Sequence, residues 1–219
     1  MYIFSYRIFS LKEIKKMSSD TGLFPSNGHR IQGRSTESFL DARDIISRLN
    51  LKGNEVFMDA GCGDGHVAME AYDMLGDEAT IYAVDIFGPS IEDMEKEVEE
   101  KGIKNIIPVQ SDIADHIAIE DDTVDVCLLV NVFHHFVGVE KTDEANCELK
   151  RVIKPEGKIA VMDYKKEDTG YGPPLRVKSS PEELEEMFAK HGLKMVQLDT
   201  EAGEDLEHGK SHYIITFQK

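Results

Sequence analysis

Basic residues are few in this sequence for the number of acidic ones. Its 25 lysines and arginines stand against 42 aspartates and glutamates, which gives a formal net charge of −17 at pH 7. A protein that binds nucleic acid needs clustered lysines and arginines to neutralise the phosphates. We therefore expect no nucleic-acid partner.

Cysteines and long apolar runs are scarce as well. The three cysteines, Cys62, Cys127 and Cys147, form no C-x-x-C pair and no disulfide framework, which is typical of a reducing compartment and predicts a cytoplasmic protein. No apolar run approaches the roughly 20 residues of a membrane-spanning helix, and the basic and apolar residues near the N-terminus are interleaved, unlike a signal peptide. The 219 residues, 41% of them apolar, fit one globular domain with a large core.

The most informative stretch is a glycine-rich turn at residues 59–65. An apolar run ends at Asp59, glycines follow at positions 61, 63 and 65, and a helical pattern opens at Val67. Such a turn makes a ligand cradle, because glycines let the backbone approach a ligand and the first N–H groups of a helix are free to donate. Two classes of ligand fit it, the dinucleotides and S-adenosylmethionine.

The spacing of the glycines favours the second class. The dinucleotide fingerprint G-x-G-x-x-G needs a glycine at position 66, where this sequence has His66. Asp59 also suits a ligand that carries an ammonium and a sulfonium group. The stretch resembles motif I of the class I S-adenosylmethionine-dependent methyltransferases, D/E-x-G-x-G-x-G. Two alternatives stay open, an NAD(P)-dependent oxidoreductase and a non-catalytic cofactor-binding regulator or partner subunit.

Strands and helices alternate regularly after this turn begins. The predicted strands are residues 56–59, 80–84, 106–109, 124–130, 158–162, 195–198 and 213–217, and helices are predicted between the first six. The last connection, 199–212, is acidic and lacks a helical apolar stripe, so strands six and seven should be antiparallel neighbours. The pattern predicts a doubly wound α/β fold: a mostly parallel seven-stranded sheet with one antiparallel strand, the Rossmann-like methyltransferase fold.

The N-terminal part differs from the rest. Residues 1–17 are basic and apolar, and either an amphipathic helix or a loosely held arm fits them. Residues 18–35 are rich in glycine, serine and proline and carry three cations, His29, Arg30 and Arg34, which fit either a lid over the cofactor or ordinary surface charge. We expect an arm and possible lid at 1–35 and a methyltransferase domain at 36–219, with a helix at 36–50.

The resemblance is strongest over residues 54–165. After the glycine motif come two acids at the ends of strands two and three, and the sequence L-K-R-V-I-K-P-E-G at 149–157. The closest subgroup looks like the small "type 11" enzymes near the ubiquinone/menaquinone-biosynthesis C-methyltransferases. The common ending L-K-P-G-G of that group differs here at Glu156.

The resemblance implies a cofactor site at the carboxyl ends of the strands, where ligands of open α/β sheets bind. The residues implied to bind S-adenosylmethionine are Asp59, Gly61, Gly63, Asp85, Ile86, Asp112, Ile113 and Asn131. Asp59 and the glycines would hold the methionine end, and Asp85 would accept both ribose hydroxyls. Ile86 would pack on the adenine, Asp112 would accept from its amino group, and Ile113 would present its backbone to the ring.

Three further residues are candidates for catalysis. His134 and His135 follow strand four, where related enzymes place residues beside the transferred methyl, and Tyr164 ends strand five. Either histidine could contact the substrate or remove its proton, and Tyr164 could orient the substrate. If the backbone is extended, the two histidines cannot both face the cofactor. No metal site is expected. The reaction implied is transfer of the sulfonium methyl to a small-molecule acceptor by in-line displacement.

Overall fold

The computed structural model describes residues 40–168 and 172–219. Within them the helices are α1 Ala42–Ser47, α2 His66–Leu75, α3 Gly88–Lys101, α4 Phe133–Gly138, α5 Thr142–Val152 and α6 Pro181–Ala189, with a 3₁₀ turn at Leu175–Val177. The strands are β1 Val56–Ala60, β2 Thr80–Asp85, β3 Ile106–Gln110, β4 Val124–Val130, β5 Ile153–Tyr164, β6 Lys194–Leu206 and β7 Gly209–Gln218. The predicted arm and lid, residues 1–35, lie outside the described residues, and so do the first residues of the helix predicted at 36–50.

The seven strands form one sheet in the order β3-β2-β1-β4-β5-β7-β6. Neighbouring strands from β3 to β5 run parallel, whereas β7 is antiparallel to both β5 and β6. The predicted fold class is therefore confirmed, including the single reversed strand. The strand order changes direction between β1 and β4, and in folds of this kind a ligand binds at that point, beyond the carboxyl ends of the strands.

The core lies in two layers, one on each face of the sheet. The central strand β4 shows why: successive side chains point to opposite faces, so Cys127 and Leu129 enter one apolar cluster while Val126 and Leu128 enter the other. Helices cover both faces, which is why β4 is apolar at nearly every position.

Helix α3 begins earlier than the sequence indicates. Ser90 followed by Asp93 predicts a helix that starts at Ser90, but the helix begins at Gly88 and its N-cap is Phe87. Pro89 lies in the first turn, where its fixed φ suits a helix and no N–H is required. Helix α6, by contrast, begins where the sequence S-P-E-E at 180–183 indicates, and Ser180 and Glu183 form a capping box.

The last two strands are longer than predicted. The residues expected to form an acidic loop, 199–212, belong mostly to β6 and β7, which form a hairpin joined at residues 207–208. β6 is the edge strand of the sheet, and most of its residues are exposed, so acidic side chains are tolerated there. The prediction of a loop was wrong because a strand that buries little of either face lacks the alternation of apolar and polar residues that indicates a strand.

The start of β5 was also misplaced. The Lys154-Pro155-Glu156-Gly157 turn forms a bulge inside the strand: Val124 pairs with Ile153 and Val126 with Lys158. No helix in the described ranges has both the length and the apolar character needed to cross a membrane.

Candidate cofactor and methyl-transfer site

The glycine turn requires glycine for steric reasons. Gly61, Gly63 and Gly65 adopt left-handed φ angles of 84°, 57° and 85°. A Cβ atom at position 61 would overlap the side chain of Val132, and one at position 65 would overlap Met94. The turn is therefore closed tightly between β1, the end of β4 and α3.

Asp59, at the end of β1, is buried and incompletely partnered. It is 2% exposed, and its Oδ2 atom has no hydrogen-bond partner among the described residues. Burial, with smaller contributions from the charges of Asp85 and Asp64, raises its pKa to about 8. A buried carboxylate without a partner is costly, so a cationic group of a ligand would stabilise it. The ammonium of S-adenosylmethionine fits this requirement.

Asp85 ties the glycine turn to β2. Its Oδ2 accepts a hydrogen bond from the Gly63 N–H at 2.9 Å, and its Oδ1 accepts one from the Phe87 N–H at 2.8 Å. The carbonyl of Val84 accepts the Gly61 N–H at 2.7 Å. Each carboxylate oxygen can accept more than one hydrogen bond. Asp85 thus organises the turn and retains the capacity to accept two ribose hydroxyls.

The residues predicted to surround the adenine have contrasting environments. Ile86 is 45% exposed, an unusual state for an isoleucine, whereas Ile113 is 6% exposed and packs into the core. Asp112 accepts the Ala114 N–H at 2.9 Å through Oδ1, so it orders the loop after β3. The proposed contacts of these three residues with the adenine stay predictions.

His134 is held by Asp163, a buried acid near the end of β5. Its backbone N–H donates to Asp163 Oδ2 at 3.0 Å, and its ring Nδ1 lies 2.9 Å from Asp163 Oδ1. Burial alone would raise the pKa of Asp163, but the charge and hydrogen bonds of His134 outweigh it and lower that pKa. Because the Asp163 carboxylate accepts a hydrogen bond from Nδ1–H of His134, Nε2 is the ring nitrogen that is able to take up a proton.

His135 has a different environment. Burial and the neighbouring His134 lower its pKa, while Asp112 acts in the opposite direction. The segment that carries both histidines is the short helix α4 and not an extended chain. The backbone at the two histidines is therefore helical, and the two rings differ by their partners instead.

Tyr164 packs among residues that the sequence did not single out. Its ring lies 4.1 Å from that of His212, centroid to centroid, and the Lys178 ammonium is 5.4 Å from the Tyr164 centroid. Lys178 also donates to the Glu167 carbonyl at 2.8 Å. His212 and Lys178 are almost fully buried. The one signal for His212 is its position directly before the apolar run at 213–217.

These side chains form one polar group at the carboxyl edge of the sheet, because β7 runs antiparallel and its first residues lie beside the end of β5. We call it the strand-end cluster, and its members are Asn131, His134, Asp163, Tyr164, Lys178 and His212. Most of the predicted residues thus fall into three groups: the glycine turn with Asp85, the strand-end cluster, and the loop after β3 with Asp112 and Ile113. Ile86 follows β2, and His135 lies on α4.

A doubly wound sheet with a glycine turn and an unpartnered acid at its switch point defines a cofactor-binding α/β protein. A family model described as a methyltransferase domain matches residues 51–217. The chain belongs to this family, whose cofactor is S-adenosylmethionine. The predicted family and cofactor are confirmed.

Two curated relatives are similar to part of the chain. A demethylmenaquinone methyltransferase from Lactobacillus johnsonii is 20% identical over 121 residues, and a ubiquinone/menaquinone biosynthesis C-methyltransferase from Cupriavidus pinatubonensis is 26% identical over 121 residues. Each match covers 55% of this chain and 48% of the relative. The matched part thus spans about half the length of these relatives.

Solved structures confirm the fold over a larger share of the chain. An S-adenosylmethionine-dependent methyltransferase from Aquifex aeolicus superposes with a TM-score of 0.71 at 24% identity, covering 96% of this chain and 99% of its own. A Sulfolobus solfataricus protein described as a type 11 methyltransferase has a TM-score of 0.61 at 23% identity, covering 83% of this chain and 93% of its own. The [4+2]-cyclase SpnF shares the fold too, with a TM-score of 0.65 at 16% identity, covering 81% of this chain and 80% of its own. The fold by itself therefore does not fix the reaction.

Proposed function

We propose that this protein transfers the sulfonium methyl of S-adenosylmethionine to a small-molecule acceptor by in-line displacement. The observation that carries the proposal is the buried Oδ2 of Asp59 beside a glycine turn, an atom that has no hydrogen-bond partner within residues 40–168 and 172–219. An anionic oxygen in that place matches the ammonium of an amino-acid group and opposes the phosphates of a dinucleotide.

The described residues divide the cofactor between them. Asp59 and the glycine turn hold the methionine end, and Asp85 accepts the ribose hydroxyls. Asn131, at the end of β4, contributes a side-chain donor: its Nδ2 atom is buried and lacks a hydrogen-bond partner among the described residues. Ile86, exposed at the end of β2, offers an apolar surface to the adenine.

The bound cofactor supplies an activated methyl group, so the protein's main contribution is placement of the acceptor. Well-oriented reactants can lower a barrier by roughly 7–11 kcal/mol. Where the attacking atom of the acceptor carries a proton, His134 takes it at Nε2 while Asp163 holds Nδ1. General-base catalysis of this kind contributes about 10²–10⁴-fold. Tyr164 lies beside His134 and orients the acceptor.

Two observations support a small acceptor. The curated relatives are named for demethylmenaquinone and for ubiquinone/menaquinone biosynthesis, which are small molecules. The net charge of −17 disfavours nucleic acid as the acceptor.

The three cysteines without a disulfide framework support a cytoplasmic site of action.

The first experiment is calorimetry with S-adenosylhomocysteine, S-adenosylmethionine and NAD. We expect binding of the two sulfur compounds and none of NAD, and NAD binding tighter than S-adenosylhomocysteine would contradict the proposal. Asp59→Asn should weaken S-adenosylhomocysteine about tenfold or more, since charged hydrogen bonds contribute about 1.5–3 kcal/mol. Asp93→Asn, at an exposed position of α3, is the matched control.

The second experiment follows the methyl group. With methyl-tritiated S-adenosylmethionine and a panel of small quinols and phenols, the label should appear in an acceptor product. Tight cofactor binding with no labelled product from any acceptor would favour the regulator alternative, and turnover of a nicotinamide would favour the oxidoreductase.

A further inference from the structure

The donor atom of Asn131 depends on the orientation of its side-chain amide. Asn131 has a left-handed φ of 59° at the end of β4. Its Oδ1 lies 3.0 Å from Nε2 of His212, and its Nδ2 lacks a partner among the described residues. If the amide turned over, an acceptor would face the ligand instead of a donor. Something must hold the amide, and His212 is the group that touches it.

His212 is suited to this task because it is fully buried and uncharged. Burial, reinforced by the charges of His134 and Lys178 and opposed by that of Asp163, lowers its pKa to about 4. A neutral imidazole carries one N–H. Because Oδ1 of Asn131 can only accept, that hydrogen lies on Nε2, and Nδ1 of His212 must accept.

The hydrogen for Nδ1 comes from Ser211. The Oγ of Ser211 lies 2.6 Å from Nδ1 of His212. The same Oγ accepts the backbone N–H of Glu204 at 2.8 Å, which leaves the hydroxyl hydrogen free to point at the histidine. The three hydrogen bonds therefore all run in one direction. The Glu204 N–H donates to Ser211, the Ser211 O–H donates to His212, and the His212 N–H donates to Asn131.

The β6–β7 hairpin is shaped to admit this chain. Gly203 has a φ of 82°, and a Cβ atom there would lie 2.6 Å from Ser211 Oγ and would overlap Nδ1 of His212. The register between the two strands shifts on both sides of Ala202. A bulge with a glycine therefore brings backbone and side-chain donors of the hairpin to the edge of the cofactor site.

We infer that His212 is a positioning residue that fixes the Asn131 amide so that Nδ2 donates to a carboxylate oxygen of the bound cofactor. This inference rests on the proposed function. Asp59 Oδ2 and Asn131 Nδ2 lie at the ends of the adjacent strands β1 and β4, and both are buried polar atoms without a partner in the part of the chain that the structure describes. The carboxylate of Asp59 complements the ammonium of an amino acid, and the neutral amide donor of Asn131 complements its carboxylate.

The test compares two ligands and two variants. S-adenosylhomocysteine carries the amino-acid group, whereas 5′-methylthioadenosine lacks it. His212→Phe keeps a ring against Tyr164 but removes the donor, and His212→Gln supplies an amide N–H near the position of Nε2. We expect His212→Phe to weaken S-adenosylhomocysteine about tenfold, His212→Gln to restore most of the affinity, and neither to change methylthioadenosine binding.

Combining variants separates positioning from packing. Asn131→Ala and His212→Phe should not add, because both remove the same contact. Unchanged S-adenosylhomocysteine affinity in a folded His212→Phe protein would overturn the inference, and so would an equal loss for both ligands. If the wild-type protein bound no S-adenosylhomocysteine, the proposed function itself would fail.

A measurement on the unsubstituted protein covers the case in which His212→Phe does not fold. The ¹⁵N chemical shifts of His212 should show hydrogen on Nε2 and none on Nδ1 at neutral pH. Ser211→Ala removes the hydroxyl and should weaken S-adenosylhomocysteine in the same direction. The opposite tautomer in the wild-type protein would contradict the assignment.

Discussion

The glycine turn is a run of consecutive backbone residues, whereas the strand-end cluster is a set of side chains from distant parts of the chain. The turn lies within seven consecutive residues and is closed by contacts to Asp85, Val132 and Met94. The cluster draws its members from β4, α4, β5, β7 and the segment before α6. The turn is therefore fixed by backbone geometry, and the cluster by contacts between side chains.

The two regions also differ electrostatically. The turn gathers the acids Asp59, Asp64 and Asp85, and burial with their mutual repulsion raises the pKa of Asp59 to about 8. In the cluster, the acid Asp163 is compensated by His134 and its pKa is lowered. Among the described residues Asp163 therefore has a side-chain partner, whereas Asp59 Oδ2 has none. This difference leads to separate predictions for each region.

The largest effect is expected for Gly61→Ala. The new methyl group would overlap Val132, and the residue would have to hold a φ of 84°. We expect S-adenosylhomocysteine affinity to fall by at least about a hundredfold by calorimetry, since left-handed strain and a steric clash each cost 1–3 kcal/mol. Gly61→Ala combined with Val132→Ala should recover part of the loss. Full affinity in the single variant would mean that the turn does not approach the ligand.

Asp163→Asn should lower turnover about a hundredfold while leaving S-adenosylhomocysteine affinity within about twofold. The amide no longer fixes the His134 tautomer, so the base is lost but the cofactor site stays. His134→Gln should have the same effect, and the two should not add. The matched control is Asp199→Asn, which removes a carboxylate paired with Arg48 on the far edge strand. Equal loss of cofactor affinity in Asp163→Asn would place Asp163 in the cofactor site instead.

Asp59→Asn should stabilise the ligand-free protein at alkaline pH. The carboxyl group is protonated in the folded protein up to its pKa of about 8, but it ionises near 3.8 when unfolded. Its contribution to folding is therefore present at low pH and is lost as pH rises from about 4 to 8. The melting temperature of the variant should exceed that of the wild type by several degrees near pH 8 and by little near pH 5. A wild-type protein that is as stable as the variant at both pH values would show that Asp59 has a normal pKa.

The smallest effect is expected for Ile86→Ala. Its side chain is 45% exposed without ligand, and packing against an adenine ring would bury it, a gain of about 1 kcal/mol or a few-fold in affinity. S-adenosylhomocysteine affinity should fall about fivefold, and folding should be unchanged. Leu175→Ala, at a comparably exposed apolar residue of the 3₁₀ turn, should leave affinity unaltered. Identical affinity in both variants would place the adenine elsewhere.

The sequence predicted the glycine-turn side well because its parts are close along the chain. Asp59, the three glycines and Asp85 lie at motif spacings, and β4 is apolar enough to be placed to the residue. The reversed strand followed from the connection between strands six and seven, which lacks a helical pattern.

The strand-end cluster was predicted only in part because its contacts join distant residues. Asn131 and His212 are 81 positions apart, and His134 and Asp163 are 29 apart. Tyr164 and the histidines were identified from their positions after strands, but His212 and Lys178 have no motif around them. The hairpin that brings His212 into place was interpreted as a loop, so no pattern could connect it to β4.

The most direct test of the account is the number of protons released when S-adenosylhomocysteine binds. Ligand-free Asp59, with a pKa of about 8, carries a proton near neutral pH, and it must ionise to pair with the ammonium of the ligand. Calorimetry at about pH 6.5 in buffers of different ionisation enthalpy measures that number. We expect the wild type to release about one proton more than Asp59→Asn. Equal proton release by the two proteins would contradict the claim that Asp59 receives the cofactor's ammonium.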